Sequence, residues 1–195
     1  MTIATPSRRA ETSTPISEVM ANRWSPRSFD PTVEVSESTI TAALEAARWA
    51  PSASNTQPWR FIVARRGTPE HAMIVENLMG FNQVWAETAA VLIVNIAVTK
   101  TEDGTSLRWA EYDLGQAVSH LSLQAHRDGL HVHQMGGILA DGLSAAFGLS
   151  DELEPVSVTA LGVLGAPENL PEKLRLREIA PRERKPLDEL LIVTA

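Results

Sequence analysis

The stretch A-P-S-A-S-N-T-Q-P-W, Ala50 to Trp59, separates two segments of different periodicity and so decides how the chain around it folds. Upstream, Ile40, Ala43, Leu44 and Ala47 recur at helical spacing behind Ser36, a capping residue, and predict a helix that Pro51 stops. Downstream, W-R-F-I-V-A-R from Trp59 to Arg65 alternates and carries aromatic and branched residues, which predicts a strand. The stretch itself is a polar loop whose groups need partners. It is open to two readings at this point, as ordinary punctuation between elements or as a binding loop.

Working outward toward the N-terminus, Thr14-Pro15 reads as a cap and first helical position for a helix from Ile16 to about Arg23. That helix delivers Arg23, Ser25 and Arg27 into a turn. Two guanidiniums and a hydroxyl over so short a reach suit a phosphate. They equally suit a solvated surface whose arginine stems cover apolar neighbours, which is the commoner case. Residues 1–13 read as a flexible tail.

Toward the C-terminus, Thr68-Pro69-Glu70 opens a helix to about Leu78. Ala89 to Val98 is almost continuously apolar and predicts a strand buried on both faces at the centre of a sheet. Ala110, Leu114, Ala117, Val118, Leu121 and Ala125 mark one side of a long helix between Leu107 and Asp128, which Gly129 stops. Its small residues fit a core helix or a subunit interface. Trp109 and Tyr112 fit either core packing or the substrate side.

L-H-V-H-Q-M from Leu130 predicts a short strand leading into Gly136-Gly137, where a helix from Gly137 to Phe147 would expose backbone N–H groups to an electron-rich ligand. His131 and His133 share a face of that strand, but no third ligand stands at metal spacing, so they read as structural. A third strand is expected from Pro155 to Gly165. After Pro167 the chain reads as an extended basic arm, with Arg182 and Arg184 ahead of apolar Leu187, Leu190, Leu191, Ile192 and Val193, and such an end should dock on something.

Composition narrows the function classes. At 195 residues the chain fits one domain with arms, and 44% hydrophobic with 21% charged residues is ordinary for a globular protein. A net charge of -7 argues against general nucleic-acid binding. The absence of cysteine excludes disulfides, thiolate metal sites and a cysteine nucleophile. There is no G-x-G-x-x-G, G-x-S-x-G or H-E-x-x-H. With no secretory signal pattern and no apolar run long enough for a membrane span, a cytoplasmic protein is expected.

Taken together, R-W-S-P-R-S-F at Arg23 to Phe29, A-A-R-W-A-P-S-A-S-N-T-Q-P-W at Ala46 to Trp59, D-x-G-x-A at Asp113 to Ala117, H-Q-M-G-G at His133 to Gly137 and R-x-R-K-P-L at Arg182 to Leu187 resemble the FMN-dependent nitroreductase family over roughly residues 15 to 192. The resemblance implies an α+β sandwich with a mostly antiparallel central sheet flanked by helices. It also implies an intertwined homodimer in which residues 171–195 form an arm docking on the partner and residues 14–170 form the flavin domain.

Carried over by residue, Arg23, Ser25 and Arg27, with Trp24 between them, match the family's first flavin motif, and Arg184 and Arg182 match its C-terminal phosphate contacts. Pro51, Ser52, Ala53 and Asn55 match the loop that reaches the flavin from the other subunit. Gln134, Met135, Gly136 and Gly137 match the segment along the reactive edge of the ring, and Asn82 a further contact. Trp24 stands where many members have a basic residue, and Met135-Gly136-Gly137 replaces a Pro-Glu-Gly type sequence, so the substrate range does not transfer. The implied activity is NAD(P)H oxidation coupled to reduction of a small electron-poor acceptor, a quinone or nitroaromatic, with FMN as cofactor and NADH or NADPH as donor. A flavin-binding or storage protein without turnover, or a relative specialised for dehydrogenation, dehalogenation or flavin breakdown, is the alternative.

Overall fold

The computed structural model describes residues 8–193. Four strands form one antiparallel sheet in the order β1-β2-β4-β3, with β1 Trp59–Arg65, β2 Val91–Val98, β3 His131–Met135 and β4 Leu153–Gly162. As the apolar run predicts, β2 lies inside the sheet with seven of its eight residues buried. Its odd positions, Val91, Ile93 and Ala97, face one layer, and its even positions, Leu92, Val94 and Ile96, face the other. Each large side chain so enclosed contributes about 1.5–3 kcal/mol of burial.

The first layer is α2 (Glu37–Arg48) and α5 (Ala110–Arg127), which pack on each other and on the sheet. Ser36 caps α2, accepting a hydrogen bond from the Thr39 N–H at 3.2 Å. Gly129, at φ 85°, supplies the left-handed residue beyond α5. The second layer holds α3 (Pro69–Glu76, capped by Thr68), α4 (Asn82–Ala86), α6 (Ala140–Phe147) and α7 (Glu172–Ile179). The result is the expected α+β sandwich with an antiparallel sheet between helices.

Four expectations are corrected. The first helix, α1, runs Glu18–Asn22 rather than from Ile16, and Thr14 caps nothing. Ala10 N–H bonds Ala21 O at 2.8 Å and Arg9 pairs with Glu18, so the chain doubles back before α1 can begin. Residues 8–10 of the expected tail are therefore tied to the fold, and residues 1–7 lie outside the described residues. Helix α6 begins at Ala140, not Gly137, because residues 137–139 pair with 77–79: Met79 N–H bonds Gly137 O at 2.9 Å and Leu139 N–H bonds Asn77 O at 2.8 Å. Gly136-Gly137 is thus extended backbone ahead of the helix.

Beyond β4, residues 163–165 pair with 28–30 through Asp30 N–H to Val163 O and Gly165 N–H to Ser28 O, both 2.9 Å. A Cβ on Gly165 would sit 2.7 Å from the Phe29 backbone, so this approach requires glycine. Finally, residues 172–179 of the expected arm are helix α7 and turn Leu174 and Glu178 into their own chain's core, four residues apart on one face. Extended chain follows from Pro181 to Pro186, then one helical turn, α8 (Leu187–Leu190), with Leu187, Leu190, Leu191, Ile192 and Val193 exposed. The last two residues, 194 and 195, are outside the described part of that arm.

Candidate functional site

A groove of about 460 Å³ runs between α5 and the β3–β4 side of the sheet. Arg23 and Ser25 form one end, Gln134 and Ser157 line the sheet side, and Gly115, Ser119 and Ser122 line the helix side. Gly115, Ser119 and Ser122 stand four and three residues apart, one small polar stripe on α5. A Cβ on Gly115 would meet nothing within 4 Å, so the helix leaves open space there.

The groove's polar groups are held in place by one another. Gln134 Nε2 donates to Ser122 Oγ, and Ser122 in turn donates to Val118 O at 2.7 Å, joining β3 to α5. Asn95, fully buried on β2, donates from Nδ2 to Ser157 Oγ at 3.0 Å and Thr159 Oγ1 at 2.8 Å. With its oxygen accepting, the Ser157 hydroxyl keeps its proton for a ligand in the groove.

Cationic charge gathers at the Arg23 end. Arg23 is half-buried, its Nη1 reaches Ser25 Oγ at 3.3 Å, and it forms no ion pair among the described residues. Burial, and then the nearby Arg184, push its guanidinium below the usual arginine range. Arg182 is lowered likewise, by burial and then by Arg23, Arg184 and Arg8. Guanidiniums that repel one another beside a groove form a ready anion site.

The Arg23–Arg27 loop rests on β3. His133 Nδ1 hydrogen-bonds Pro26 O at 2.8 Å while its ring lies 4.6 Å from Trp85. His131 meets the edge of Trp24 at 6.2 Å and the His126 ring at 5.4 Å. Burial lowers both histidines to about 4, so both are neutral at pH 7. From α7, the buried Glu178 carboxylate accepts the Arg27 and Ser28 backbone N–H groups.

Of the residues singled out in the sequence, Arg23, Ser25 and Gln134 meet in the groove, with Arg184 near enough to Arg23 to repel it. Arg27 is half-buried 3.9 Å from Glu178. Arg182 spends its Nη1 on Arg8 O and Ala21 O, at 2.6 and 2.9 Å, and so ties the N-terminal segment down. Trp24 is buried between His131 and the Arg8 guanidinium, against a separate small crevice with Leu164 and Ile179. Met135 turns its side chain into the core, which leaves only its backbone for a ligand. Asn82 donates to Gly137 O at 3.3 Å and supports the Gly136-Gly137 segment, in which Gly136 is exposed.

Pro51, Ala53 and Asn55 are exposed and Ser52 is half-exposed, and none of the four lines the groove. Their loop is nonetheless ordered. Ser52 Oγ accepts the Gln57 N–H at 3.0 Å, and the buried Asp113 carboxylate of α5 accepts the Ala53 N–H at 2.9 Å. Ser54, Asn55 and Gln57 all adopt left-handed backbone, φ 51°, 55° and 48°. Three such non-glycine residues in four positions store strain of order 1 kcal/mol each, a pattern found where a loop's shape is used.

Trp109 and Tyr112 are exposed, so core packing is not their role. Sequence reasoning missed Ser122, Ser157 and Glu178. The Gly115-Ser119-Ser122 stripe and the polar Asn95 in an apolar strand were signals available for the first two. Glu178, one acidic residue in a basic segment, carried none.

The Nitroreductase family pattern matches residues 20–71, the part that holds Arg23, Ser25, Arg27 and the Pro51–Asn55 loop. A crystal structure of an oxidoreductase containing FMN superposes with a TM-score of 0.89 at 35% identity, covering 96% of each chain. An uncharacterised 15.4 kDa protein of Mycolicibacterium smegmatis is 33% identical over 138 residues, 67% of this chain and 92% of that one. The major NAD(P)H-flavin oxidoreductase of Aliivibrio fischeri is 35% identical over 71 residues, 35% of this chain and 33% of that protein. The chain thus matches well under half the length of that curated relative. A shared fold over nearly the whole chain, the identity that accompanies it and the matched motif region lead to one assignment: the chain belongs to the nitroreductase family.

Proposed function

We propose that this protein is an FMN-dependent NAD(P)H oxidoreductase that works as a homodimer and reduces small electron-poor acceptors such as quinones and nitroaromatics. The observation that carries this reading is Arg23: half-buried at the end of the groove, crowded by Arg184 and Arg182, and without an acidic partner among the described residues. A dianionic phosphate relieves that crowding. The groove's remaining donors and acceptors fit the polar edge of a planar ring system, and the open space over Gly115 admits it.

FMN, when bound, would supply the chemistry of hydride exchange between a nicotinamide donor and the acceptor. The chain's own contribution is binding and orientation. Arg23 and Arg184 hold the phosphate, Ser25 supports Arg23, and Gln134, fixed by Ser122, presents an amide to the ring edge. Gly136, exposed two residues beyond Gln134, offers a further backbone N–H. Pro51, Ser52, Ala53 and Asn55 complete the neighbouring protomer's site. The apolar Leu187 to Val193 arm covers the partner, which removes its exposed hydrophobic surface from water.

The test is anaerobic mixing of the FMN-loaded protein with NADH or NADPH, followed at 450 nm, then addition of a quinone or nitroaromatic. Bleaching by either nicotinamide and recovery on adding the acceptor are expected. A flavin that neither donor bleaches points instead to flavin storage without turnover. Light scattering should give a dimer. A mixed dimer carrying S52A and N55A in one protomer and R23A and R184A in the other should keep one FMN site, and retention of none contradicts the shared-site arrangement.

A further inference from the structure

Glu178 lies in the last turn of α7 with its side chain 1% exposed. Both carboxylate oxygens accept the Arg27 N–H, at 2.8 and 3.0 Å, and one also accepts the Ser28 N–H at 3.1 Å. The Arg27 guanidinium is 3.9 Å away, beyond hydrogen-bond reach. The carboxylate's hydrogen bonds therefore all go to the loop's backbone, while its charge also faces the Arg27 guanidinium as an ion pair.

Three further anchors hold the same loop, Pro26 O on His133 at 2.8 Å, Ser28 Oγ donating to Ala166 O at 2.6 Å and Ser28 O accepting the Gly165 N–H at 2.9 Å, and all are neutral. Glu178 is the charged one. It is also the one on the element that runs on, through Pro181, to Arg182 and Arg184. One buried side chain thereby fixes the two arginine-bearing segments relative to each other.

We propose that Glu178 is the positioning residue for the flavin phosphate: by gripping the Arg27–Ser28 backbone it aligns Arg23 and Arg27 with Arg184, and so sets the preference for a phosphorylated flavin over an unphosphorylated one. The inference rests on the FMN reading above. It has a sign that charge alone would not give. As a negative charge near an anion site, Glu178 opposes phosphate, and removing it should strengthen FMN binding. As a positioning group, its removal should weaken FMN binding and leave riboflavin alone.

The experiment is titration of wild type, E178Q and E178D with FMN and with riboflavin, alongside the melting temperature of each protein. Wild type should prefer FMN. E178Q, which removes the charge and puts an amide NH₂ in place of the second acceptor of the Arg27 N–H, should lose FMN affinity by about tenfold or more, the scale of a charge-assisted hydrogen bond, with riboflavin affinity within about twofold. E178D should lose less. Unchanged or improved FMN affinity in E178Q overturns the proposal, as does an equal loss for both flavins, which marks a merely structural role. Should E178Q fail to fold, E178D decides by the same FMN-to-riboflavin ratio. A wild-type protein that binds neither flavin overturns the proposed function and this inference with it.

Discussion

Two polar loops, Arg23–Ser28 and Pro51–Gln57, are built on the same device and end in opposite environments. In each, a buried carboxylate on a helix accepts backbone N–H groups: Glu178 for Arg27 and Ser28, Asp113 for Ala53. The first loop lies half-buried on β3, in ordinary backbone conformations, and turns Arg23 and Ser25 into the groove of its own chain. The second projects from the fold, with three residues in left-handed backbone and nothing of it in that groove. One loop is finished by its own chain. The other is held in a costly shape and left exposed.

The largest effect that would break this comparison is on the first loop's ligand. Replacing both Arg23 and Arg184 with alanine should reduce FMN affinity by about a hundredfold or more, since each removes charge-assisted hydrogen bonds. Riboflavin binding should change little, as read by quenching of flavin fluorescence. A comparable loss of riboflavin would mean the arginines support the fold rather than the phosphate.

Acid should separate the loops next, because only the first rests on histidines. Burial holds His131 and His133 at about 4, below the value of roughly 6.5 in an unfolded chain. Between those values the unfolded state binds more protons. The associated stability is therefore complete above about pH 6.5 and is lost as pH falls toward 4. For the more enclosed His133 the loss is roughly 3 kcal/mol at its full extent. Urea denaturation from pH 7 to pH 4 should show the decline, and H133N, which cannot titrate, should flatten it. An identical slope in H133N would remove His133 from the account.

Smaller effects probe the second loop. D113A leaves the Ala53 N–H without its acceptor and should cost about 1–3 kcal/mol of stability. S54G should fall at the low end, raising stability by at most about 1 kcal/mol, because relief of left-handed strain is partly offset by glycine's greater freedom when unfolded. A marked destabilisation by S54G would show that the Ser54 conformation is unstrained and that the contrast between the loops is overstated.

Much of this architecture was legible because hydrophobic periodicity is a local signal. Trp59–Arg65 was read to the residue, and the almost continuous apolar run from Ala89 to Val98 put β2, Val91–Val98, inside the sheet. Errors arose where a long-range pairing overrode local punctuation. Thr14-Pro15 is a good helix opening, but Ala10 is bonded to Ala21, and Gly137 cannot open α6 because its carbonyl belongs to Met79. In the groove, the Arg-x-Ser-x-Arg pattern pointed to Arg23 and Ser25 as a candidate phosphate site and the resemblance pointed to Gln134, and the fold brings the three together. Glu178 was invisible, since a carboxylate that binds backbone 150 residues away leaves no trace in spacing. The resemblance pointed to Trp24 and Met135 as flavin contacts, but only the fold reveals that their side chains are committed to packing.

The central claim is that the groove beside Arg23 holds the flavin and that its phosphate sits between Arg23 and Arg184. The most direct measurement is a crystal structure of the protein grown with FMN. It should place phosphate oxygens within about 3 Å of the Arg23 and Arg184 guanidiniums, the ring over Gly115, and Ser52 and Asn55 of a second protomer against the same flavin. A flavin elsewhere, or a phosphate in solvent with Arg23 unengaged, would contradict it.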